Sequence, residues 1–492
     1  MGSGRVASKP ERHVTAMRPG SLQQSRYRLA SFALAGGVVL LLWTLLLLLN
    51  PVGYIGGGSD DGRYLEAARC AVDHAGWCVP DTHWAARWPV FLPLAAAIAL
   101  LGETRLAVGL ASAPWAIAAI LMLMALVYRW KGTLAALLAG GVLVMTPVFT
   151  LRSLTPSADL PELTFLLGGW LAGYQRRPLL SGLLFGLAIC TRETAAVALV
   201  TLPMAWLLWR PALRPLCVGM IGLGLPLLAE GIFHAVTAGD ALLRIRLALG
   251  HTGIPSSELA TGVDHRIPLF NMALVRHWRP ATDIHVHWLL DPLLNLLASP
   301  LCGIVLVAAL GLIAIRGRAT CALVKLLALG SATIALLLIF VLAVDPKPRM
   351  FLSTIAAAAA IIGIDCAERL RAGWRLLPVV LLALITVKGM LIIVDQPNIL
   401  LAERVAARWI TTSRPGLMTD ANTKSHFALV PEARAVAIGS GVPRMVLEIG
   451  ACNPTAAESR DVRGRDAAWI AGIRKTGFLL TRRERLSLCL YR

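Results

Sequence analysis

Charge is scarce in this sequence. Asp, Glu, Lys and Arg make up 15% of its 492 residues, against 57% hydrophobic residues, and the mean hydropathy is +0.69. A water-soluble domain needs far more polar surface, so that class is excluded. Negative charge is the scarcer sign, with 28 acidic residues against 47 basic ones and a formal net charge of +19. The excess comes with no motif that reads DNA or RNA, and its Lys and Arg gather in short links between apolar runs. Nucleic acid is therefore not an expected partner; the pattern is that of positive-inside loops beside a lipid bilayer. Three further absences matter. No small-residue cleavage site follows the first apolar run, so the N-terminal segment is expected to be retained and not removed as a signal. No internal repeat is visible, which counts against a repeat-built transporter. No Cys/His quartet has zinc spacing, so no metal is expected.

What is present is a series of apolar runs that approach or exceed the roughly 18 to 20 residues needed to cross a bilayer as a helix. They cover 29–50, 106–128, 133–151, 160–174, 178–190, 194–209, 215–237, 299–315, 320–344, 350–365 and 376–394. The run 89–102 is shorter, a length that suits a juxtamembrane segment better than a crossing. Basic links at Arg129 to Lys131, Arg176 and Arg177, Arg210 to Arg214, Arg316 to Arg318 and Arg369 to Arg375 are each separated from the next by two runs, so they share one side. If 89–102 does not cross, the basic N-terminal segment joins them on the cytoplasmic side.

The reading is an all-α polytopic membrane protein of about eleven transmembrane helices with a small extracytoplasmic C-terminal domain. It divides into a cytoplasmic segment 1–28, a transmembrane domain 29–394 with a first outer loop 51–105, and an outer domain 395–492. The last reads as mixed α/β, with a helical stretch from Glu403 to Ile410 and strand-like pieces at Gly416 to Met418, Ala435 to Ile438 and Phe478 to Leu480. Cys70 and Cys78 fall in the first outer loop, and Cys452 and Cys489 in the tail. An oxidising compartment favours a disulfide within each pair.

Acids recur on the outer side. The first outer loop carries Gly56-Gly57-Gly58-Ser59-Asp60-Asp61-Gly62-Arg63-Tyr64. The glycines permit a sharp turn at the membrane surface, and two adjacent carboxylates then open a helix. Capping explains one acid at a helix start, but not the repetition of the theme. Asp159 and Glu162 stand three apart at the start of another run, on one helical face. An ionised Glu162 inside an apolar run is costly unless it faces a polar cavity. Arg192 and Glu193 occupy a further outer link, and Asp345, Lys347 and Arg349 another. These outer ends are expected to face one common region. His277, His285 and His287 read as a polar interfacial loop, although a His-x-His pair in an extended segment does put two imidazoles on one face.

In order and topology these motifs resemble the GT-C superfamily of integral-membrane glycosyltransferases. The nearest branch is that of the protein O-mannosyltransferases and lipid A aminoarabinose transferases, family 39 and its relatives. The branch's Asp-Glu-x-x-Tyr-type motif reads Asp60-Asp61-Gly62-Arg63-Tyr64 here. Its Pro-rich amphipathic segment reads Arg87-Trp88-Pro89-Val90-Phe91-Leu92-Pro93, its second-loop acid is Asp159, and its Gly-rich half-span ending in a basic residue is Gly182 to Arg192. The chain departs from the branch in having Asp61 for Glu and Arg87-Trp88-Pro89 for Lys-Pro-Pro. The resemblance implies transfer of a sugar from a polyprenyl-phosphate carrier to an envelope acceptor, a glycolipid, polysaccharide or protein. It implies action on the outer face of the bacterial inner membrane, inversion at the anomeric carbon and no cofactor. The branch is usually metal-independent, while the related oligosaccharyltransferases use a divalent ion.

The residues suit that chemistry. A phosphate leaving group is already acidic, so the general acid of a glycosidase is not needed. One base suffices to take the proton of an acceptor hydroxyl. Asp60 is the expected base, with Asp61 or Asp159 orienting it or the acceptor. Arg63, Arg87, Arg192, Lys347 and Arg349 are the expected phosphate ligands, a task for which Arg has the right fork geometry. Tyr64 and Glu162 complete the expected substrate site. The alternative is a transporter or flippase of lipid-linked sugars, whose polar groups would lie near the bilayer midplane on broken helices.

Overall fold

The computed structural model describes residues 19–50, 60–74, 82–201, 213–250, 290–317, 322–341, 347–396, 399–413, 416–449, 451–461 and 486–491. In chain order the helices are α1 (Pro19–Leu49), α2 (Asp60–Asp73), α3 (Trp88–Leu101), α4 (Arg105–Lys131), α5 (Thr133–Met145), α6 (Pro147–Arg152), α7 (Asp159–Tyr174) and α8 (Pro178–Thr191). After a 3-10 stretch (Glu193–Val200) come α9 (Leu213–Ala238), α10 (Leu243–Gly250), α11 (Asp291–Ala298), α12 (Gly303–Arg316) and α13 (Ala322–Leu336). A 3-10 turn (Pro348–Phe351) then leads into α14 (Leu352–Arg371), followed by α15 (Leu376–Asp395) and α16 (Ile399–Ser413). Each expected apolar run is helical over most of its described part, with 133–151 broken at Thr146 and 299–315 helical only from Gly303. Among the described residues, 5 helices are long and apolar enough to cross a membrane. The chain is a mostly helical, multi-pass membrane protein. The run 89–102 is helix α3, with Pro93 inside it.

Helix α14 is the axis of the bundle. Ile355, Ala356, Ala359, Ile362 and Ile364 are all fully buried. Its small residues let α5 approach closely: a Cβ on Gly363 would run into the backbone of Ala135 and Ala139. The 3-10 turn that carries Arg349 therefore sits at the centre of one end of the bundle. Helix α5 stops at Met145 because Pro147 has no N–H to donate, and the chain restarts as α6 with that proline in its first turn. The carbonyls left over are covered locally: Thr146 Oγ1 donates to Val142 O at 2.7 Å and Thr150 Oγ1 to Val144 O at 2.6 Å. This break turns Arg152 towards α2.

Helices α8 and α9 meet along a glycine seam. A Cβ on Gly182 would collide with Gly219 O, on Gly186 with Leu223 O, and on Gly222 with Leu179 O. Such contacts bring backbones together where lipid offers no hydrophobic drive between helices. The seam fixes the end of α8, and with it Arg192 and Glu193.

Charge collects at the two ends of the bundle. At one end Lys131 pairs with Glu368 at 2.7 Å, Arg316 with Glu368 at 2.6 Å and with Asp365, and Arg369 with Asp365 at 2.6 Å. Ser31 and Thr133 hydroxyls meet there at 3.2 Å, so the start of α1 lies at this end too. At the other end Trp43 Nε1 donates to Ser153 Oγ at 3.0 Å, and the acids of the outer links gather.

The C-terminal segment forms a mixed five-stranded sheet of order β2-β1-β3-β5-β4. Its strands are β1 (Met418–Thr419), β2 (Ala437–Ile438), β3 (Arg444–Ile449), β4 (Glu458–Asp461) and β5 (Leu486–Tyr491). Strand β1 runs parallel to β2 and β3, while β5 runs antiparallel to β3 and β4. Helix α16 lays Ala402, Ala406 and Trp409 on Met445, Leu447, Leu488 and Leu490, and Cys452 is bonded to Cys489. The expected helix and the pieces near 418 and 437 are found. Phe478 to Leu480 lies outside the described residues, and β3, β4 and β5 are additional to the reading from sequence. This domain is fastened to the bundle: Arg105 grips Glu403 through Nε at 2.5 Å and Nη2 at 2.6 Å, Arg434 Nη2 donates to Glu103 O at 3.0 Å, and Leu429 packs with Leu65, Phe91 and Leu94.

Candidate active site

Helix α2 begins at Asp60 with both acids in its first turn, a position favoured by the helix dipole. Leu65, Ala68 and Ala71 continue the buried face that Asp61 and Tyr64 begin, and they pack against Phe91, Leu94 and Ala95 of α3, so Asp61 and Tyr64 turn inward. The next layer comes from the centre of the bundle. Arg349 Nη2 lies 2.7 Å from Asp60 Oδ2. Arg152 Nη1 lies 3.3 Å from Asp61 Oδ2. Arg192 Nη1 donates to Asp159 Oδ1 at 2.6 Å and lies 3.5 Å from Glu162 Oε2. Arg87 Nη1 donates to Tyr64 Oη at 2.7 Å, and Arg87 Nη2 to Glu193 Oε2 at 2.8 Å.

The two adjacent aspartates differ in solvent access and in charge. The Asp60 side chain is 26% exposed and that of Asp61 5%. Burial pushes the Asp60 carboxyl up, but Arg349, Arg192, Arg87 and Arg152 outweigh it and hold the group below the usual carboxylate range. Burial dominates at Asp61: with only partial relief from Arg152 and Arg349, and with Asp159 and Asp60 as like charges, it is pushed up to about 6. Neighbouring carboxylates driven apart in this way divide naturally between an ionised partner and a proton-holding one. Burial also raises the Tyr64 phenol, opposed by Arg87.

Two guanidinium groups have donors to spare. Arg87 Nε and Arg349 Nε are buried and have no hydrogen-bond partner among the described residues. A buried N–H without an acceptor is costly in a native fold and demands an explanation; an incoming oxyanion would supply one. Ser157 Oγ, two residues before Asp159, and Thr354 Oγ1, in the first turn of α14, are buried and have no hydrogen-bond partner among the described residues.

Of the expected site residues, Asp60, Asp61, Tyr64, Arg87, Asp159, Glu162, Arg192 and Arg349 therefore fall in one cluster. Arg63 does not enter it: its half-exposed side chain pairs with Glu66 at 3.0 Å on the outer face of α2. Lys347 is exposed just before the turn that carries Arg349. Asp345, His277, His285, His287 and Cys78 lie outside the described residues; Cys70 is disulfide-bonded. Among the described residues no group of three or more His, Cys, Asp or Glu side chains is arranged to hold a metal ion. The reading from sequence left out Arg152, Glu230 and Arg244, and it placed Glu193 in an outer link without giving it a role. Glu230 could have been flagged as an acid inside an apolar run; for Arg244 no local signal exists.

No protein-family model matches the chain, and no curated protein matches it. Solved structures do. The chain is similar to ArnT from Cupriavidus metallidurans bound to undecaprenyl phosphate, at 14% identity and a TM-score of 0.46, covering 93% of this chain and 97% of that one. It is similar to the apo oligosaccharyltransferase of Archaeoglobus fulgidus at 13% identity and a TM-score of 0.47, covering 85% of this chain and 62% of that one. A complex of the archaeal enzyme AglB with an inhibitory peptide and a dolichol-phosphate matches at 12% identity and a TM-score of 0.44, covering 85% of this chain and 61% of that one.

Proposed function

We propose that this chain is a glycosyltransferase that moves a sugar from a polyprenyl-phosphate carrier to an envelope acceptor at the extracytoplasmic face of the bacterial inner membrane. The observation that carries the proposal is the convergence of Asp60, Asp61 and Asp159 with Arg87, Arg152, Arg192 and Arg349 at one end of the bundle, with two buried arginine N–H groups left without an acceptor.

The donor phosphate would lie against Arg349 and Arg87, whose free Nε donors are suited to its oxygens. Asp60 would accept the proton of the acceptor hydroxyl as that oxygen attacks the anomeric carbon. The bond from that carbon to the phosphate oxygen breaks, and the negative charge it leaves on the carrier phosphate is stabilised by the same fixed cations. No general acid is needed. Asp159 holds Arg192, and Asp61, the more buried neighbour, orients Asp60. Fixing these charges in advance is where such a site gains most of its rate. A single displacement inverts the anomeric carbon. Metal ions are not part of the proposed mechanism.

The test is transfer from a synthetic polyprenyl-phosphate sugar by the protein in liposomes, with mass spectrometry of the products. New glycosidic bonds that depend on Asp60 support the reading. Movement of intact lipid-linked sugar across the bilayer with no bond made or broken would point to a flippase instead.

A further inference from the structure

Beyond the acid cluster a chain of hydrogen-bonded, largely buried groups runs from Tyr64 to Glu230. Tyr64 accepts from Arg87, Arg87 donates to Glu193 Oε2, Arg244 Nε donates to Glu193 Oε1 at 2.9 Å, and Arg244 Nη1 lies 2.7 Å from Glu230 Oε1. Glu193 is the hub, with one oxygen for each arginine, and it is held down at about 2: burial alone would push it up, but Arg87 and Arg244 outweigh it. Arg244, 5% exposed, also donates to Cys190 O and Ile189 O at 2.6 Å each. Those are carbonyls at the end of α8, which a cation stabilises. Arg244 thus ties α10 to α9 through Glu230, to the end of α8 and to Glu193 at once.

We infer that Arg244 and Glu193 are positioning residues that aim the Arg87 guanidinium into the site, so that its unpartnered Nε faces the anion of the carrier. This rests on the proposed function in one respect only, that Arg87 contacts the carrier phosphate. The reason is geometric. Arg87 spends Nη1 on Tyr64 and Nη2 on Glu193. Two anchors at one edge of a planar group fix its plane, and the Nε direction follows. Without Arg244, Glu193 loses its second tether and its link to α8 is free to turn.

The experiment measures binding of undecaprenyl phosphate, without sugar, to the full-length protein in detergent. Arg87→Gln should weaken binding by about tenfold, the loss of one charge-assisted hydrogen bond. Arg244→Gln should weaken it to a similar degree, although Arg244 touches no ligand, and Arg244→Gln combined with Arg87→Gln should be no worse than Arg87→Gln alone. Arg244→Lys, which keeps the charge on Glu193, should recover part of the loss. A purely structural role would lower the folded fraction but leave the affinity of the folded protein unchanged. Unchanged affinity in Arg244→Gln, or additive losses in the double variant, would overturn the inference. Unchanged affinity in Arg87→Gln would instead overturn the phosphate contact on which it stands.

Discussion

Asp60 and Asp61 are neighbours in sequence, yet their surroundings drive them in opposite directions. Asp60 faces Arg349 across 2.7 Å and stays partly accessible, and the surrounding arginines hold its carboxyl below the usual range. If it is the base, Asp60→Asn keeps the shape and the helix-capping capacity but cannot accept a proton. Turnover should fall by about 10²- to 10⁴-fold with undecaprenyl phosphate binding retained, whereas Arg349→Ala should weaken that binding. Near-normal turnover by Asp60→Asn would move the assignment to Asp61 or Asp159. Asp61 allows a separate test through pH. Its pKa is raised to about 6 by burial, so it favours the folded state below the ordinary carboxylate range and loses that contribution as pH rises through about 6. Asp61→Asn should therefore raise the melting temperature relative to the parent above pH 6, and the gain should shrink as pH falls below it. A variant that melts earlier than the parent at every pH would show that the Arg152 contact matters more than the burial. The acids were legible in the sequence because acids are rare there. Their partners were not: which arginine meets which acid depends on how distant helices pack, and Arg152 and Arg244 look like ordinary residues at helix ends.

The helices themselves were legible as apolar runs, because in lipid every backbone group must be satisfied within its own segment. What the runs do not reveal is how they break. Pro147 divides α5 from α6 and thereby aims Arg152. The glycine seam between α8 and α9 fixes where Arg192 and Glu193 emerge. Gly182→Leu should push α9 away from α8 at a cost of about 1 to 3 kcal/mol, and carrier binding should weaken as the seam opens, read by melting temperature and binding in parallel. Normal binding in this variant would mean that the link holds its place without the seam. Short strands gave a fainter signal. The pieces near 418 and 437 alternate too briefly to reveal their partners, and β3 and β5 find each other across a long separation. The Cys452–Cys489 bond reinforces that pairing. In the denatured, unreduced protein both sulfurs should resist thiol labelling while Cys190, Cys217, Cys302 and Cys366 react. Labelling of Cys452 and Cys489 would reject the bond.

At the scale of the whole molecule, the bundle has two unlike ends. One joins Lys131, Arg316, Asp365, Glu368 and Arg369 to the start of α1. The other holds the acid and arginine cluster. The C-terminal domain lies at the second end, since Glu403 is gripped by Arg105 at the first residue of α4 and Arg434 reaches Glu103 just before it. The tail and the site must then share one side of any membrane the bundle crosses. Basic links prefer the cytoplasm, and those of Lys131, Arg316 and Arg369 lie at the first end, so the tail and the site should face outward. A reporter active only in the periplasm, fused after Arg492, should be active, and one active only in the cytoplasm should be silent. The same outcome is expected for a reporter inserted after Ser413, between α16 and the sheet, because both points belong to one domain. A cytoplasmic signal at both points would turn the whole bundle over, put the acid cluster inside, and remove the extracytoplasmic reaction while leaving the geometry of the cluster intact. Opposite signals at the two points would break the link between domain and site that Arg105 and Glu403 make.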